Sequence, residues 1–398
     1  MKWEKVKLGN VTDSCLGKML DQNKNKGDYQ PYLANVNVRW GEFDLEDLPL
    51  MKFEESEQER YELKYGDLVI CEGGEPGRCA IWKEQIPNMK IQKALHRVRV
   101  HDCLDYRYLF YWFLLAGKTG ELDQYFTGAT IKHMPGQKLK EVVIDKPPLE
   151  IQHRIADILS AYDDLIENNQ KQIKLLEEAA RRLYKEWFVD LRFPGHENTK
   201  IVDGVPEGWN ICPFSSKVDI MSGGTPKTSI PDYYNGRIPF YTPKDSDGAF
   251  FAYKTQMNIT EGGLKNCNSR LYPPKTVIIT ARGTVGKTTI LAVPMAMNQS
   301  CYALKMKEND APYYLFFALN NEIKALQTMA NGGVFNTIIG KTFDSINIQI
   351  PKDSLIYGFE ETVRPFMGQI KNKLQANSKL VEARNRLLLK MMNGEVEV

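Results

Sequence analysis

The feature that most constrains the fold of this chain is an internal repeat, in which a shift of about 205 residues lays one half of the sequence on the other. Order and spacing are kept while residue identities drift, which indicates two related domains with different specificities. The matching segments, written first half to second half, are 68–71 to 277–280, 74–78 to 283–287, 108–111 to 314–317, 128–131 to 332–335 and 142–147 to 346–351. The first two pairs predict a strand, a tight turn and a second strand in each half.

Length and composition agree with a protein of several soluble domains. A chain of 398 residues is too long for one typical core, and its 42% hydrophobic and 26% charged residues are ordinary for a globular protein. The most apolar stretch, 106–116, has about half of the roughly 20 residues that a membrane-spanning helix needs, so it predicts a buried helix. The charged N-terminus is unlike a signal peptide, and we expect a cytoplasmic protein.

Charge and cysteine usage exclude little and predict no metal site. The net charge of +2 allows nucleic-acid binding without predicting it. The seven cysteines are scattered, with no Cys-x-x-Cys pair, so neither a disulfide framework nor a zinc site is indicated. A ligand cluster of Cys79, His96, His101 and Cys103 would have irregular spacing, and we expect these residues to be structural.

A long helical stretch follows each mixed domain. Because apolar residues recur at steps of three and four, each stretch predicts a helix with one apolar seam, and the two seams predict an antiparallel helix pair. Pro365 is expected to break or kink the second helix near its start; the repeat places it on Ser160 and allows a short helix before a longer one in both halves. The first seam contains Ile151, Ile155, Ile158, Tyr162, Leu165, Ile173, Leu176, Ala180, Leu183 and Trp187, and the second runs from Ile356 to Met391.

Several motifs resemble one known family. The run 147–167, PPLEIQHRIADILSAYDDLIE, and the run 183–194 resemble the central spacer of type I restriction-modification specificity subunits. Segments 222–228 and 238–245 look like the opening of that family's target-recognition domains, and segments 35–41 and 127–134 resemble other signatures of those domains. The resemblance covers essentially the whole chain, and its spacer motif is the most specific part.

The resemblance implies an architecture and a task. The fold class is α+β, with two mixed α/β target-recognition domains alternating with two long helices that pair as an antiparallel coiled coil. We expect the first domain at 1–148, the central spacer helix at 149–192, the second domain at 193–352 and the C-terminal spacer helix at 353–398. Each domain would bind one half of a bipartite DNA sequence. The partners implied are two adenine methyltransferase subunits and a translocating nuclease subunit.

The sequence lacks the motifs of a catalytic subunit. An amino-methyltransferase needs Asn or Asp before Pro-Pro-aromatic, yet the two Pro-Pro pairs are Lys146-Pro147-Pro148-Leu149 and Tyr272-Pro273-Pro274-Lys275. The run 281–288 nearly matches a phosphate-binding loop, but it begins with Ala, and the β-branched residues after it predict a strand where that loop requires a helix. We therefore expect no catalytic centre and no cofactor.

Candidate DNA contacts follow from the chemistry of base edges and phosphates. Arg, Asn and Gln can pair with base edges, whereas Lys, Ser, Thr and Tyr donate to phosphates. The candidates in the predicted loops are Lys18, Lys24, Asn35, Asn37, Arg39, Trp40, Thr130, Lys132 and His133 in the first domain, and Thr225, Lys227, Thr228, Tyr241, Lys244, Arg282, Lys287, Asn298 and Gln299 in the second.

Two other functions remain open at this point. The chain could be an enzyme that uses the Gly-Lys-Thr run, in which case ATP hydrolysis would depend on Lys287. It could instead be a coiled-coil scaffold that organises proteins without recognising a DNA sequence, in which case any DNA binding would be salt-sensitive and indifferent to sequence.

Overall fold

The computed structural model describes residues 3–21, 25–202, 204–329 and 337–396. The chain divides into two compact units. The first unit comprises Met1–Glu167 and Asn377–Val398, and the second comprises Asn168–Ala376. Each long helix therefore contributes one half to each unit.

The first unit contains nine strands in its described residues, three short or medium helices and the beginning of a long one. Its strands are β1 (Glu4–Lys7), β2 (Thr12–Leu16), β3 (Asp28–Leu33), β4 (Leu50–Phe53), β5 (Leu68–Cys71), β6 (Cys79–Ile81), β7 (Lys90–Ile91), β8 (Leu95–Val100) and β9 (Val143–Lys146). Its helices are α1 (Gln58–Tyr61), α2 (Tyr106–Thr119), α3 (Gly136–Glu141) and the long α4 (Leu149–Tyr184).

The second unit contains the remaining elements of the described residues. Its strands are β10 (Ile201–Val202), β11 (Val205–Pro206), β12 (Asn210–Pro213), β13 (Val218–Ser222), β14 (Tyr234–Tyr241), β15 (Phe251–Ala252), β16 (Asn258–Ile259), β17 (Val277–Thr280), β18 (Thr288–Leu291), β19 (Ala296–Met297), β20 (Cys301–Met306) and β21 (Asn347–Ile350). Its helices are α5 (Phe214–Lys217), α6 (Glu261–Lys265), α7 (Pro312–Met329), α8 (Gly340–Asp344) and the first part of the long α9 (Asp353–Met392), which continues into the first unit from Asn377.

The two units repeat the same sheet topology. The first unit has sheets of order β2-β8-β5-β6, β4-β3-β7 and β1-β9, and the second has β13-β20-β17-β18-β15, β16-β14-β19 and β12-β21. Even the one parallel pairing in the smaller sheet is shared, between β3 and β7 and between β14 and β19. The internal repeat of the sequence is thus a repeat of the fold, with β15 added at one edge and the separate pair β10-β11 added in the second unit.

The central strands are apolar along their whole length because both of their faces are covered. In the first unit, Leu68 and Ile70 of β5 pack into the core formed with α2, while Val69 faces a separate core beneath the smaller sheet. In the second unit, Val277 and Ile279 of β17 face one core and Ile278 faces the other. Each predicted strand-turn-strand segment is confirmed as an antiparallel hairpin, β5–β6 and β17–β18.

Helices α2 and α7 anchor each sheet through the same contact. Asp105 caps the start of α2 by accepting from two backbone N–H groups, and Gly120 ends the helix in the left-handed conformation. The hydroxyl of Tyr108 in α2 donates to the Asp145 carbonyl at 2.7 Å, and the hydroxyl of Tyr314 in α7 donates to the Gln349 carbonyl at 3.0 Å. The predicted buried helix at 106–116 is confirmed as part of α2.

The long helices pair antiparallel within each unit. In the first unit Asp163 of α4 forms an ion pair with Arg384 of α9 and also accepts from the Tyr111 hydroxyl at 2.6 Å. Ile166, further along α4, meets Asn377, which lies earlier in α9. In the second unit the same antiparallel sense brings α4 residues 173–184 into one core with α9 residues 359–370. The predicted helix pair is confirmed.

Two details of the helices differ from the predictions. Helix α9 continues without interruption through Pro365, so the expected break is wrong. The proline removes the N–H that would reach the Glu361 carbonyl, but both residues are exposed, and water can take the place of that donor. Ile158 and Leu165, expected in the seam of α4, are 40% and 53% exposed, so the covered stripe is narrower there than the periodicity predicts.

A buried polar side chain ties each long helix to the start of its neighbour. Gln152 of α4 is fully buried; its side chain accepts from the Asp105 N–H at 2.8 Å and donates to the Pro147 carbonyl at 2.8 Å. In the second unit Glu360 of α9 accepts from the N–H groups of Tyr313 and Tyr314 at the start of α7, both at 2.8 Å. Burial raises the pKa of Glu360 to about 7.

The raised pKa of Glu360 predicts a pH-dependent stability of the second unit. The folded state holds the proton more tightly than the unfolded chain, so this carboxyl contributes stability at pH 4.5 that is lost as the pH rises through about 7. Glu360→Gln keeps a neutral acceptor. We expect its free energy of unfolding, relative to that of the unsubstituted protein, to rise by about 3 kcal/mol between pH 4.5 and pH 8.

Urea denaturation at the two pH values checks this prediction. Glu361→Gln is the matched control, since Glu361 is exposed and pairs with the exposed Arg364 one turn away. The control is expected to follow the unsubstituted protein at both pH values. Parallel pH profiles for Glu360→Gln and the unsubstituted protein would contradict the prediction.

Candidate nucleic-acid interface

Three loops of the first unit meet around the turn of the β5–β6 hairpin. Asn35, in the loop after β3, donates from its side chain to the Gly73 carbonyl at 3.1 Å. The indole N–H of Trp40 donates to the Glu75 carboxylate at 2.7 Å. The backbone of His133 forms a bridge with Gly73. The structure therefore brings the predicted segments 35–40 and 127–133 together at this turn, which we call the first loop face.

The second unit assembles the corresponding loops. The N–H of Asn298, after β19, donates to the Tyr241 carbonyl at 3.0 Å at the end of β14, and Thr225 contacts Gln299 through their side chains. The N–H of Ala281 in the β17–β18 turn donates to the Ser300 carbonyl at 2.7 Å. The second loop face is thus formed by 225–228, 242–246, 281–287 and 298–300.

The two hairpin turns share one backbone conformation. Gly77 donates to the Cys71 carbonyl at 3.0 Å, and Gly286 donates to the Thr280 carbonyl at 2.9 Å. Both glycines have φ above +80°, a region in which other residues are strained. A phosphate-binding loop requires a helix directly after it, whose first backbone N–H groups bind the phosphate. Strand β18 follows the second turn instead, so the Gly-Lys-Thr run lacks the geometry of such a loop.

Besides Asn35 and Trp40, three more of the sequence candidates have side chains committed to the fold. Lys18 is 3% exposed, and its ammonium pairs with Glu57 and donates to the Lys52 carbonyl at 2.9 Å. Asn37 accepts from the Ala34 N–H at 2.9 Å and donates to the Asp44 carbonyl at 3.1 Å. Tyr241 is 1% exposed, and burial raises the pKa of its hydroxyl. Lys24 lies outside the described residues.

The exposed candidates differ in charge between the two faces. On the first, Arg39 lies 3.7 Å from Asp44, and Lys132 lies 3.4 Å from Asp123, so both cations have acidic partners. Among the described residues, no ion-pair partner is found for the four exposed cations of the second face, Lys227, Lys244, Arg282 and Lys287. Thr130 and His133 on the first face, and Thr228 and Gln299 on the second, are exposed polar residues.

The described residues contain no group of three His, Cys, Asp or Glu side chains placed to hold a metal ion. Cys79 is fully buried, and burial raises the pKa of its thiol well above its usual value. No helix in the described ranges is both long enough and apolar enough to cross a membrane.

The family model for the type I restriction modification DNA specificity domain matches residues 1–178 and 206–356. The chain belongs to this family. The two matched stretches correspond to the two repeats, so this specificity subunit carries two such domains.

Related proteins and a solved structure agree with this assignment. The chain is 28% identical over 341 residues to the type I restriction enzyme MjaIX specificity subunit of Methanocaldococcus jannaschii, covering 84% of this chain and 78% of the relative. It is 22% identical over 469 aligned positions to the HindI specificity subunit of Haemophilus influenzae, covering 99% of both. The type I restriction-modification S subunit structure from M. genitalium has the same fold, with a TM-score of 0.57 at 16% identity, covering 98% of this chain and 96% of that one.

The repeated fold of the specificity subunit identifies two further candidate positions that the list from the sequence omitted. Ile91 pairs with Leu33 in the first unit as Met297 pairs with Tyr241 in the second. Gln92 and Lys93 therefore occupy the positions of Asn298 and Gln299, and Lys93 is exposed. Extending the repeat through 90–93 would have identified this pair.

A matched pair of substitutions tests whether the cation at the end of each hairpin turn, Arg78 or Lys287, stabilises the fold. Arg78 and Lys287 occupy equivalent positions, since each carbonyl accepts from the strand residue opposite. The side chain of Arg78 is 17% exposed and donates to the Asn35 carbonyl and the Glu75 carboxylate, both at 3.1 Å. Arg78→Ala is expected to lower the free energy of unfolding by about 1–3 kcal/mol, and Lys287→Ala to change it by less than about 0.5 kcal/mol.

Urea denaturation of both variants at one pH measures the two effects. Equal losses of stability in the two variants, or a larger loss for Lys287→Ala, would show that the contacts of Arg78 do not stabilise the first turn.

Proposed function

We propose that this protein is the non-catalytic subunit that gives a type I restriction-modification complex its DNA sequence specificity. The observation that carries the proposal is the loop face built twice on one topology with different side chains. Two domains that recognise different short DNA sequences require loops with equivalent backbones and different exposed side chains. The partners we propose are double-stranded DNA, two methyltransferase subunits and, in the full complex, restriction subunits that translocate DNA.

The duplication supports the proposal of a bipartite target. Each face offers exposed side chains of the kinds that pair with base edges, such as Arg39 on the first face and Arg282 and Gln299 on the second. Each loop is fixed by hydrogen bonds to its neighbours, which preserves the positions of these groups. One half-site per domain is the simplest use of two such faces.

The long helices support the proposed roles of spacer and scaffold. Each is a single helix that takes part in both units, so its length is a constant of the protein. Several apolar side chains of α4 lie exposed, among them Leu165 at 53% and Leu175 at 69%. Exposed apolar side chains on a helix are suited to binding the methyltransferase subunits. We also propose a cytoplasmic location, which the proposed DNA target and partners would require.

Methylation mapping tests the specificity function directly. The reconstituted complex of this protein with its methyltransferase subunit is expected to methylate adenines in a split sequence, and the isolated protein to show no methyltransferase, nuclease or ATPase activity. ATP hydrolysis lost in Lys287→Ala would favour the enzyme alternative. Salt-sensitive binding of the complex without sequence preference would favour the scaffold alternative.

The spacer role predicts that the gap between half-sites depends on helix length. Deleting 168–171 from α4 together with 373–376 from α9 removes about one turn from each helix, and it removes the partners Asn169 and Lys373 together. We expect the preferred gap to shorten by about one or two base pairs, since a helical turn rises about 5.4 Å and a base pair about 3.4 Å.

Methylation of duplexes with stepped gaps measures the change. Replacing the seven of these eight residues other than Ala376 by alanine is the control, since it alters the side chains but keeps the length, and it is expected to preserve the original gap. An unchanged gap in a folded deletion variant would remove the spacer role.

A further inference from the structure

The equivalent hairpin turns present different chemistry at the same positions. Backbone bonds match Gly77 with Gly286 and Arg78 with Lys287. Counting back along these turns places Arg282 at the position of Gly73. The second turn therefore has a long cationic side chain where the first has none.

The turn of the first face uses its polar groups within the protein. The Gly73 carbonyl is occupied by the Asn35 side chain, and the Gly73 backbone pairs with His133. Glu75 accepts from both Trp40 and Arg78. The cation of this turn, Arg78, thus bonds within the protein, and the carboxylate of Glu75 would repel a phosphate.

The turn of the second face is anchored at its backbone but leaves its cations available. Ala281 donates to the Ser300 carbonyl at 2.7 Å and accepts from the Ile338 N–H at 2.9 Å. The Thr284 carbonyl accepts from the Thr280 hydroxyl, and the Thr284 hydroxyl donates to the Pro243 carbonyl at 3.4 Å. The backbone is therefore fixed on both sides of Arg282, while the side chains of Arg282 and Lys287 are exposed and have no ion-pair partner in the described part of the chain.

We propose that Arg282 determines specificity by binding a guanine in the half-site of the second domain, that Lys287 contacts a phosphate there, and that the first hairpin turn contacts no base. This inference rests on the proposed function. Of the four unpaired cations of the second face, Arg282 is the arginine, and a guanidinium donates two parallel hydrogen bonds to guanine O6 and N7. A side chain can recognise a base only if its backbone is held in place, and the hydrogen bonds of the turn hold the backbone of Arg282. A lysine ammonium at the end of the same turn suits a phosphate.

Substitutions of Arg282 in the reconstituted complex test the proposal. The probes are duplexes that carry the split sequence methylated by the unsubstituted complex, together with single-base variants of each half. Arg282→Ala is expected to bind the original duplex roughly ten- to hundredfold more weakly and to lose its preference at one guanine, in one half only. Arg282→Gln is expected to shift the preference at that position toward adenine, because Gln pairs with adenine N6 and N7.

Lys287→Ala is the matched control in the same turn. It is expected to weaken binding by a similar factor on all duplexes, to lower the slope of log affinity against log salt by about one, and to leave the methylated sequence unchanged. The melting temperatures of all three variants are expected to equal that of the unsubstituted protein, because the side chains of Arg282 and Lys287 are exposed.

Three outcomes would overturn the proposal. The first is that Arg282→Ala and Arg282→Gln methylate the same sequence as the unsubstituted complex. The second is that Arg282→Ala weakens all duplexes equally and lowers the salt slope, as a phosphate contact would. The third is that the preference changes at positions in both halves. Failure of the unsubstituted complex to methylate any split sequence would instead refute the proposed function, so the two failures are distinguishable.

Discussion

The antiparallel pairing of α4 with α9 is the interaction on which both cores depend. In the first unit, Ile155 and Leu159 of α4 share a core with Leu388 and Met391, which come from the far end of the chain. In the second unit, Tyr184 of α4 lies in the same core as the first half of α9. Each domain therefore completes its hydrophobic core with helix segments distant in sequence, and the folding of one domain is coupled to residues that belong to the other half of the repeat.

Most of the fold could be predicted from the sequence because it depends on local periodicity and on the repeat. Short apolar runs on either side of glycines predict the strand-turn-strand segments. Apolar residues that recur at steps of three and four predict the two long helices. The roles of single polar residues could not be predicted in the same way. Lys18 is buried because Glu57, 39 residues away, neutralises it, and only the tertiary structure brings these residues together. Likewise, Pro365 is tolerated because of the face on which it lies.

The candidate interface was predictable in its loops but not in its electrostatics. The segments named from the sequence do meet at the hairpin turns, where hydrogen bonds join the loop after β3 to the turn after β5 and the loop after β14 to the turn after β17. Which cations remain unpaired depends on individual distances, such as that between Lys132 and Asp123. Arg39 and Lys132 on the first face are therefore balanced by nearby carboxylates, whereas the four exposed cations of the second face have no ion-pair partner in the described residues and can attract a phosphate backbone.

The glycines that shape the hairpin turns have a consequence for how such a protein can change. Gly74 and Gly77 in the first turn, and Gly283 and Gly286 in the second, adopt the positive φ values that define the loop, so the path of the backbone does not depend on the residue before them. The residue before the first of these glycines differs between the copies, Gly73 in the first turn and Arg282 in the second. A Cβ at Gly73 would lie 2.9 Å from Nδ1 of the exposed His133, so a larger residue there requires that imidazole to move. Substitution at this position can thus change the groups that the turn exposes while the glycines keep its backbone, and the two copies are free to diverge toward unrelated targets.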